Sequence, residues 1–432
     1  MLAVRRWLGW SAGEILLFDI GGGSFEIAQG ADEYPDVSLS LPLGAGRTTV
    51  NFLREDPPPR EAVSLLRSHA RQVFTEARER LFSDRPAPTR VVGTSKTIRS
   101  LGRLIGGPAN PVTGELAPLH YTGLREWEPT LREMPGSVRE YLPGITPERG
   151  YQILAGAIVL RTAMKVFEVD TLTVSPWALR EGIVLRYIDR FLRAIEQDIF
   201  IDRVKLDGWR VRLADYTGPG AYTFRPGGEQ VVNVGDVWGD VGTTAFFART
   251  VRVPEEYGED RAALLLQAGG EGLVRIGGRA YQGIDRNHRA VLLPGQASGG
   301  TEYEVEIEVF NPVQPPPDRL NDQKGFTVPD PGRLSEAALA RVDRVAADLY
   351  FTLRAYRDAL GALPATDPLR EPMLHNLADA VAKLETGPRT EDYITGVLAE
   401  LRARMERIGG RLDGTLVMVG QSHIDVAWLW PL

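Results

Sequence analysis

The sequence predicts a multidomain chain that is first α/β, then β, then α, and three observations carry this reading. A strand-like apolar run near the start breaks into glycines and gives way to helical spacing; strict alternation takes over in the middle; capped helices with apolar stripes follow. With 432 residues the chain can hold two or three domains with large cores. Hydrophobic residues at 43% and charged residues at 25% are ordinary for a globular protein. Lys and Arg number 50 against 57 Asp and Glu, a net charge of −7, which argues against a nucleic-acid polymer or an anionic membrane as partner. The absence of cysteine excludes disulfides and thiolate metal sites, and no apolar run is long enough to span a bilayer. Arg5 and Arg6 are followed by neither an uninterrupted apolar segment nor a small-residue cleavage site, so a cytoplasmic protein is expected.

The α/β region is organised around Glu14-Ile-Leu-Leu-Phe-Asp-Ile-Gly-Gly-Gly-Ser-Phe-Glu-Ile-Ala-Gln-Gly30. The run Ile15 to Ile20 reads as a strand with a carboxylate, Asp19, at its end, and a second short strand follows the glycines. Gly21, Gly22 and Gly23 can turn consecutive N–H groups toward one point, a nest that holds phosphate oxygens, and Ser24 adds a hydroxyl. Asp19 and Glu26 can hold a divalent cation or orient a water. The plainer alternative is a glycine-rich hairpin ending in an aspartate. Val37 to Leu43 reads as another strand, and Val63, Leu66, Ala70, Val73, Ala77 and Leu81 keep helical spacing. Val91-Val92 followed by Gly93-Thr94-Ser95 is a strand–loop–helix step whose helix start can receive an anion or be a plain cap. Tyr151 to Phe167 reads as a buried helix and Leu172 to Val174 as a strand.

From Trp209 the period changes to two. Tyr303, Val305, Ile307 and Val309 alternate with Glu302, Glu304, Glu306 and Glu308, a sheet with one wet face. Short strands with glycine and proline turns predict a β-sandwich of jelly-roll type over 200–311. Trp238, Phe246, Phe247, Tyr281 and His288 are read either as a sugar platform or as core. A proline-rich linker spans 312–332 and a helical block 333–410. Its first helix is capped by Ser335 and striped by Leu339, Val342, Val345, Leu349, Leu353, Tyr356 and Leu360. A second helix starts after Asp367-Pro368, and a third is capped by Thr390. In 411–432, Thr415 to Val419 reads as a buried parallel strand with His423 and Asp425 just beyond it. Residues two apart on an extended chain face one way, so this pair can share a Zn²⁺.

The glycine run resembles the second phosphate loop of the exopolyphosphatase/guanosine-pentaphosphate phosphohydrolase (Ppx/GppA) family. The resemblance continues through Ser40-Leu-Pro-Leu-Gly-Ala-Gly-Arg47, Val91-Val-Gly-Thr-Ser-Lys-Thr97 and Leu172-Thr-Val-Ser-Pro-Trp-Ala-Leu-Arg-Glu-Gly182. It implies part of an actin-like ATPase (ribonuclease H-like) fold over about 1–193. Asp19 and Glu26 would serve Mg²⁺ or water, Gly21, Gly22, Gly23 and Ser24 the phosphate, and polyphosphate or guanosine pentaphosphate would be the partner. In that family a half-domain with the catalytic glutamate precedes this loop, whereas only thirteen residues precede Glu14 here. Gln421-Ser-His-Ile-Asp-Val-Ala-Trp-Leu-Trp-Pro431 resembles the opening zinc motif of glycoside hydrolase family 38, the α-mannosidases, with His423 and Asp425 as ligands of an incomplete Zn²⁺ site. That resemblance implies mannosides as partners and 411–432 as the start of a catalytic barrel. The expectation is a join of two partial hydrolases without the full activity of either. A non-catalytic binding protein and an enzyme completed by a partner chain are the alternatives, and a homo-oligomer is left open.

Overall fold

The computed structural model describes residues 1–82, 87–110, 115–218, 220–258, 261–295, 299–311, 331–364 and 367–409. They fall into two compact units. One comprises Met1–Leu192 with the helical stretch from Thr352, the other Arg193–Phe351.

The first unit is an α/β layer structure. In chain order it contains helix α1 (Leu2–Leu8), strands β1 (Ile15–Ile20), β2 (Phe25–Gly30) and β3 (Val37–Leu41), and helices α2 (Ala45–Phe52) and α3 (Arg60–Phe82). Strand β4 (Arg90–Thr94) leads into α4 (Ser95–Gly106), and β5 (Leu119–His120) into α5 (Tyr121–Glu133). Two short turns of helix, α6 (Gly136–Arg139) and α7 (Pro147–Gly150), precede α8 (Ile153–Val166), β6 (Thr171–Val174) and α9 (Leu179–Glu196). The sheet order is β3-β2-β1-β4-β6-β5, with β1, β4 and β6 parallel and the others antiparallel. Strand β1 is apolar along most of its length because both its faces are covered: Ile15, Leu16, Phe18 and Ile20 are all buried. Helix α8 is apolar on nearly all sides for the same reason, and α3 packs its Leu66, Ala70, Phe74 and Ala77 stripe into the same core.

The second unit is a sandwich built from antiparallel strands. Strands β7 (Phe200–Lys205), β8 (Trp209–Gly218), β9 (Ala221–Phe224), β10 (Gln230–Val232), β11 (Val237–Gly239) and β12 (Thr244–Arg252) come first. They are followed by β13 (Ala262–Gln267), β14 (Glu271–Ile276), β15 (Arg279–Ile284), β16 (Ala290–Leu292), β17 (Glu302–Phe310), β18 (Gly332–Arg333) and β19 (Glu336–Val342). One sheet runs β10-β8-β12-β17-β14-β15 with β9 beside β8; a second runs β16-β13-β19-β7; β11 pairs with β18. Trp209, Val211, Phe247, Val305, Ile307 and Val309 of the first sheet share a core with Leu264, Leu266, Ala337 and Leu339 of the second.

Two expectations change here. Residues 336–342 are strand β19, not the start of a helix capped by Ser335; the first helix of the block is α10 (Arg344–Ala362), with Asp343 Oδ1 accepting from the Ala346 amide at 2.9 Å. Alanine-rich Glu336-Ala-Ala-Leu-Ala-Arg-Val342 favours helix by propensity, but pairing between β13 and β7, with Ala337 and Leu339 in the core, overrides it. Gly332, expected to end the linker, and Arg333, expected to start the helical block, form β18 and pair with β11, so the β unit continues past residue 311. The remaining helices, α11 (Arg370–Thr386) and α12 (Glu391–Ile408), follow the sequence reading. The expected strand at 415–419 lies outside the described residues, as do His423 and Asp425.

Helices α11 and α12 belong to the first unit, and a buried arginine holds them there. Arg370, 3% exposed, donates from Nη2 to the Arg6 carbonyl at 2.6 Å and from Nη1 to the Trp7 and Leu363 carbonyls at 3.1 and 2.9 Å. Its guanidinium lies 4.5 Å from the centre of the Trp177 ring. The last carbonyls of α1 have no partner inside the helix, and a cation there also suits the helix dipole. Beside it, Asp189 bridges Arg6 at 2.6 Å and Arg357 at 2.9 Å. Replacing Arg370 by Met should leave those carbonyls unpaired and lower stability by about 2–4 kcal/mol. The check is a urea melt together with amide exchange of 2–8, where faster exchange is expected.

Candidate functional site

The site lies at the end of β1, where the apolar strand meets polar residues on each neighbouring strand. The register places Asp19 opposite Glu26 of β2 and Thr94 of β4, and Glu26 opposite Ser40 of β3. Side chains at paired positions share a face, so Ser40, Glu26, Asp19 and Thr94 form one row across four strands. Thr94 Oγ1 donates to Asp19 Oδ2 at 2.5 Å. Glu26 Oε1 accepts from Ser24 Oγ at 2.5 Å and from Ser40 Oγ at 3.1 Å. Burial pushes the Asp19 carboxyl above its ordinary value; the Thr94 hydrogen bond pulls it down and the charge of Glu26 pushes it up again. Among the described residues, Asp19 Oδ1 and Glu26 Oε2 receive no donor.

The glycine loop folds beneath the start of α2. The amides of Ala45 and Arg47 donate to the carbonyls of Gly21 and Gly22 at 2.9 and 2.8 Å, and Gly21 N donates to Ser24 O at 2.9 Å. Gly44 makes this possible: a Cβ there would stand 2.3 Å from Gly23 C and Ser24 N. Gly21, Gly22 and Gly23 do not adopt positive φ, and a Cβ on Gly22 or Gly23 would meet nothing within 4 Å. Their lack of side chains therefore serves neither backbone strain nor internal packing. It leaves the loop backbone open on the exposed side.

Gly93, Thr94 and Ser95 divide their labour. Gly93 is buried, and a Cβ there would run into Leu172 Cδ2 at 2.4 Å and Ile98 Cγ2 at 2.8 Å, so this glycine is needed for packing. Thr94 orients Asp19. Ser95 sits at φ +87°, a costly conformation for a residue with a side chain, and its Oγ accepts from the Ile98 amide at 3.3 Å. Helix α4 has no acid in its first turn and carries Lys96 there, against the dipole's preference, an imbalance that a bound anion would offset. Arg99 acts electrostatically on Asp19, and Arg149 donates to Thr97 Oγ1 at 3.1 Å. The structure thus brings together Asp19, Ser24, Glu26, Thr94 and Ser95. Sequence reasoning gave no role to Ser40, Gly44 or Arg149; the first two stood inside a recognised motif, but only strand register and loop contact reveal what they do.

Of the positions read either as a sugar platform or as core, two are core. Trp238 and Phe247 are core residues, 3% and 1% exposed, and Trp238 Nε1 is spent on the Ala268 carbonyl. Tyr281 donates to the Leu292 carbonyl, and His288 pairs with Asp285 in its own turn. Among the described residues there is no cluster of three or more His, Asp or Glu able to hold a metal, and no helix is long and apolar enough to cross a membrane.

Comparison with known proteins defines the class. Residues 1–191 match the Ppx/GppA phosphatase family and residues 220–316 the α-mannosidase jelly-roll domain. The chain therefore carries a Ppx/GppA phosphatase domain at its N-terminus, followed by a jelly-roll domain of α-mannosidase type. Among individual proteins, exopolyphosphatase 1 of Mycobacterium leprae is 46% identical over 190 residues, covering 44% of this chain and 56% of its own. Its counterpart in Mycobacterium tuberculosis is 43% identical over 189 residues, covering 44% and 55%. The chain thus spans about half the length of these curated relatives. The crystal structure of the Aquifex aeolicus Ppx/GppA family member is 26% identical, with a TM-score of 0.38, over 43% of this chain and 61% of that one.

The raised Asp19 value fixes a pH dependence. A carboxyl whose folded value lies above the unfolded one adds stability while protonated, and that contribution is lost as pH rises through the folded value. Asp19→Asn is therefore expected to raise the urea midpoint at pH 7, with the gain shrinking as pH falls toward the ordinary value of 3.8. Urea titrations at a series of pH values check the sign.

Proposed function

We propose that the N-terminal unit binds the terminal phosphates of a phosphoanhydride chain, inorganic polyphosphate or guanosine pentaphosphate, at the end of β1. The observation that carries this reading is the row Ser40–Glu26–Asp19–Thr94 beside an open glycine loop and a helix start bearing a cation. Gly21 N is spent on the Ser24 carbonyl, so the amides of Gly22 and Gly23, with the start of α4 beside them, would be the loop's donors to phosphate oxygens. Ser24 spends its hydroxyl proton on Glu26, so it either turns toward phosphate on binding or contributes through its amide.

Asp19 Oδ1 and Glu26 Oε2 are hard oxygen donors on adjacent strands, and such a pair suits Mg²⁺ with phosphate oxygens and waters as the other ligands. When bound, that ion would neutralise charge on the phosphates. Hydrolysis also needs a base in line with the scissile bond, and both carboxylates here are committed to hydroxyls and to the cation. The activity of the whole relatives is therefore proposed for this chain only with further groups at the site; alone, it binds far better than it turns over.

Isothermal titration with medium-length polyphosphate in Mg²⁺ tests this. Wild-type binding is expected, with Asp19→Ala plus Ser24→Ala losing at least about tenfold in affinity. Equal binding by the double variant, or no binding by wild type, would overturn the reading. Phosphate release at an ordinary enzymatic rate would overturn its last part.

The match over residues 220–316 favours a second role in carbohydrate chemistry. We propose the β unit as an ancillary domain of α-mannosidase type, with mannosides as the substrate class, and His423 and Asp425, in the stretch 411–432, as two ligands of an incomplete zinc site.

A further inference from the structure

The outer face of the seven-stranded sheet carries aromatic rings that the sandwich core does not use. Tyr216 of β8 stands opposite Tyr222 of β9, with ring centroids 5.8 Å apart. Tyr222 meets Phe246 of β12 edge to face at 5.0 Å, and Phe224, 43% exposed, meets Phe246 at 5.5 Å. The Arg212 guanidinium lies 3.8 Å from the centre of the Phe224 ring. Beside this wall the register lays out a polar bed. Phe246 lies between Arg212 and Glu308; two residues along, Ala248 lies between Arg210 and Glu306, and Glu306 in turn faces Arg275. Alternation puts all of these on one face, opposite the core residues Phe247 and Ile307. Glu308 accepts from the Tyr222 hydroxyl and from Arg275 Nη2, the latter at 3.4 Å. Ala248, with only a methyl group, makes a low floor between the ring wall and the charged groups.

Half-exposed rings in contact with one another mark a binding surface rather than scattered surface apolars. The charges decide its kind. The centre of a protein–protein interface is depleted of glutamate, whereas here Glu306 and Glu308 stand among and beside the rings. A neutral sugar ring fits both halves: its C–H face packs on an aromatic ring, and each hydroxyl donates to a carboxylate while accepting from a guanidinium.

We propose that this face binds a neutral pyranose sugar, stacked on the Tyr222–Phe224–Phe246 wall and held by Glu306, Glu308 and Arg275. The proposal deepens the carbohydrate reading above and does not depend on the phosphate site. Saturation-transfer NMR and calorimetry on the full chain, with α-linked mannotriose, maltotriose and galactobiose as probes, test it. At least one probe should bind. Ala248→Arg, which fills the floor, and Glu306→Ala, at an exposed position, should each weaken it by at least about tenfold while circular dichroism and melting temperature stay put. Phe246→Ala should abolish binding. Binding by none of the three probes, or binding undiminished in Ala248→Arg, would overturn the proposal. So would self-association that Ala248→Arg abolishes in a chain that binds no sugar, which would mark the face as an interface between copies. Zinc titration of wild type against His423→Ala separates the two carbohydrate claims. Zinc bound without sugar removes this face alone, and sugar bound without zinc removes only the metal centre.

Discussion

A carboxylate at the end of a fully buried strand is the constraint on which the first unit depends. Strand β1 is apolar because helices cover both sheet faces, yet its fifth residue is Asp19. A charge in that position is costly unless neighbours supply hydrogen bonds. Thr94 supplies one from β4, while on the other side Glu26, itself held by Ser24 and Ser40, adds a like charge. Burial keeps the Asp19 carboxyl above its ordinary value. A protein that only needed a stable sheet would place an apolar residue there. The strain at Ser95 and the cation at the start of α4 are of the same sort: local costs gathered at one edge, as binding sites accumulate them.

The second organising contact is the one Arg370 makes. A buried guanidinium is destabilising in isolation, but this one completes the last carbonyls of α1 and stacks on Trp177. Helices that the sequence groups with the later part of the chain are thereby part of the N-terminal unit. The family match ends at residue 191, so it does not contain this contact.

In the β unit, one face of the large sheet makes the core and the other presents aromatic and charged side chains. Trp238 and Phe247 illustrate the division: both are aromatic and both were candidates for a platform, and both lie inside, where their area contributes most to stability. The rings left outside come from strands β8, β9 and β12, with Phe246 the single residue common to the expected platform and the observed wall. Phe246 and Phe247 are neighbours in sequence, and a strand sends them to opposite faces.

The sequence by itself determined what depends on period and on local turn chemistry. The apolar run of β1, the α3 stripe, the Glu302–Phe310 alternation and the glycine loop all stood legible, because each is written in consecutive residues. So did Asp19, Ser24 and Glu26 as candidates, since a carboxylate, glycines and a hydroxyl in that order mark a candidate anion site. The tertiary structure decided what depends on partners distant in the chain. Whether 336–342 became helix or strand was settled by β13 and β7, not by its alanines. That Thr94, rather than Gly93, addresses Asp19 followed from the parallel register of β4. Which aromatic faced water, and which carbonyls Arg370 would satisfy, likewise rested on packing across tens or hundreds of residues. Such contacts leave no periodic trace in a single sequence, because side chains that meet in space need not be spaced regularly along the chain.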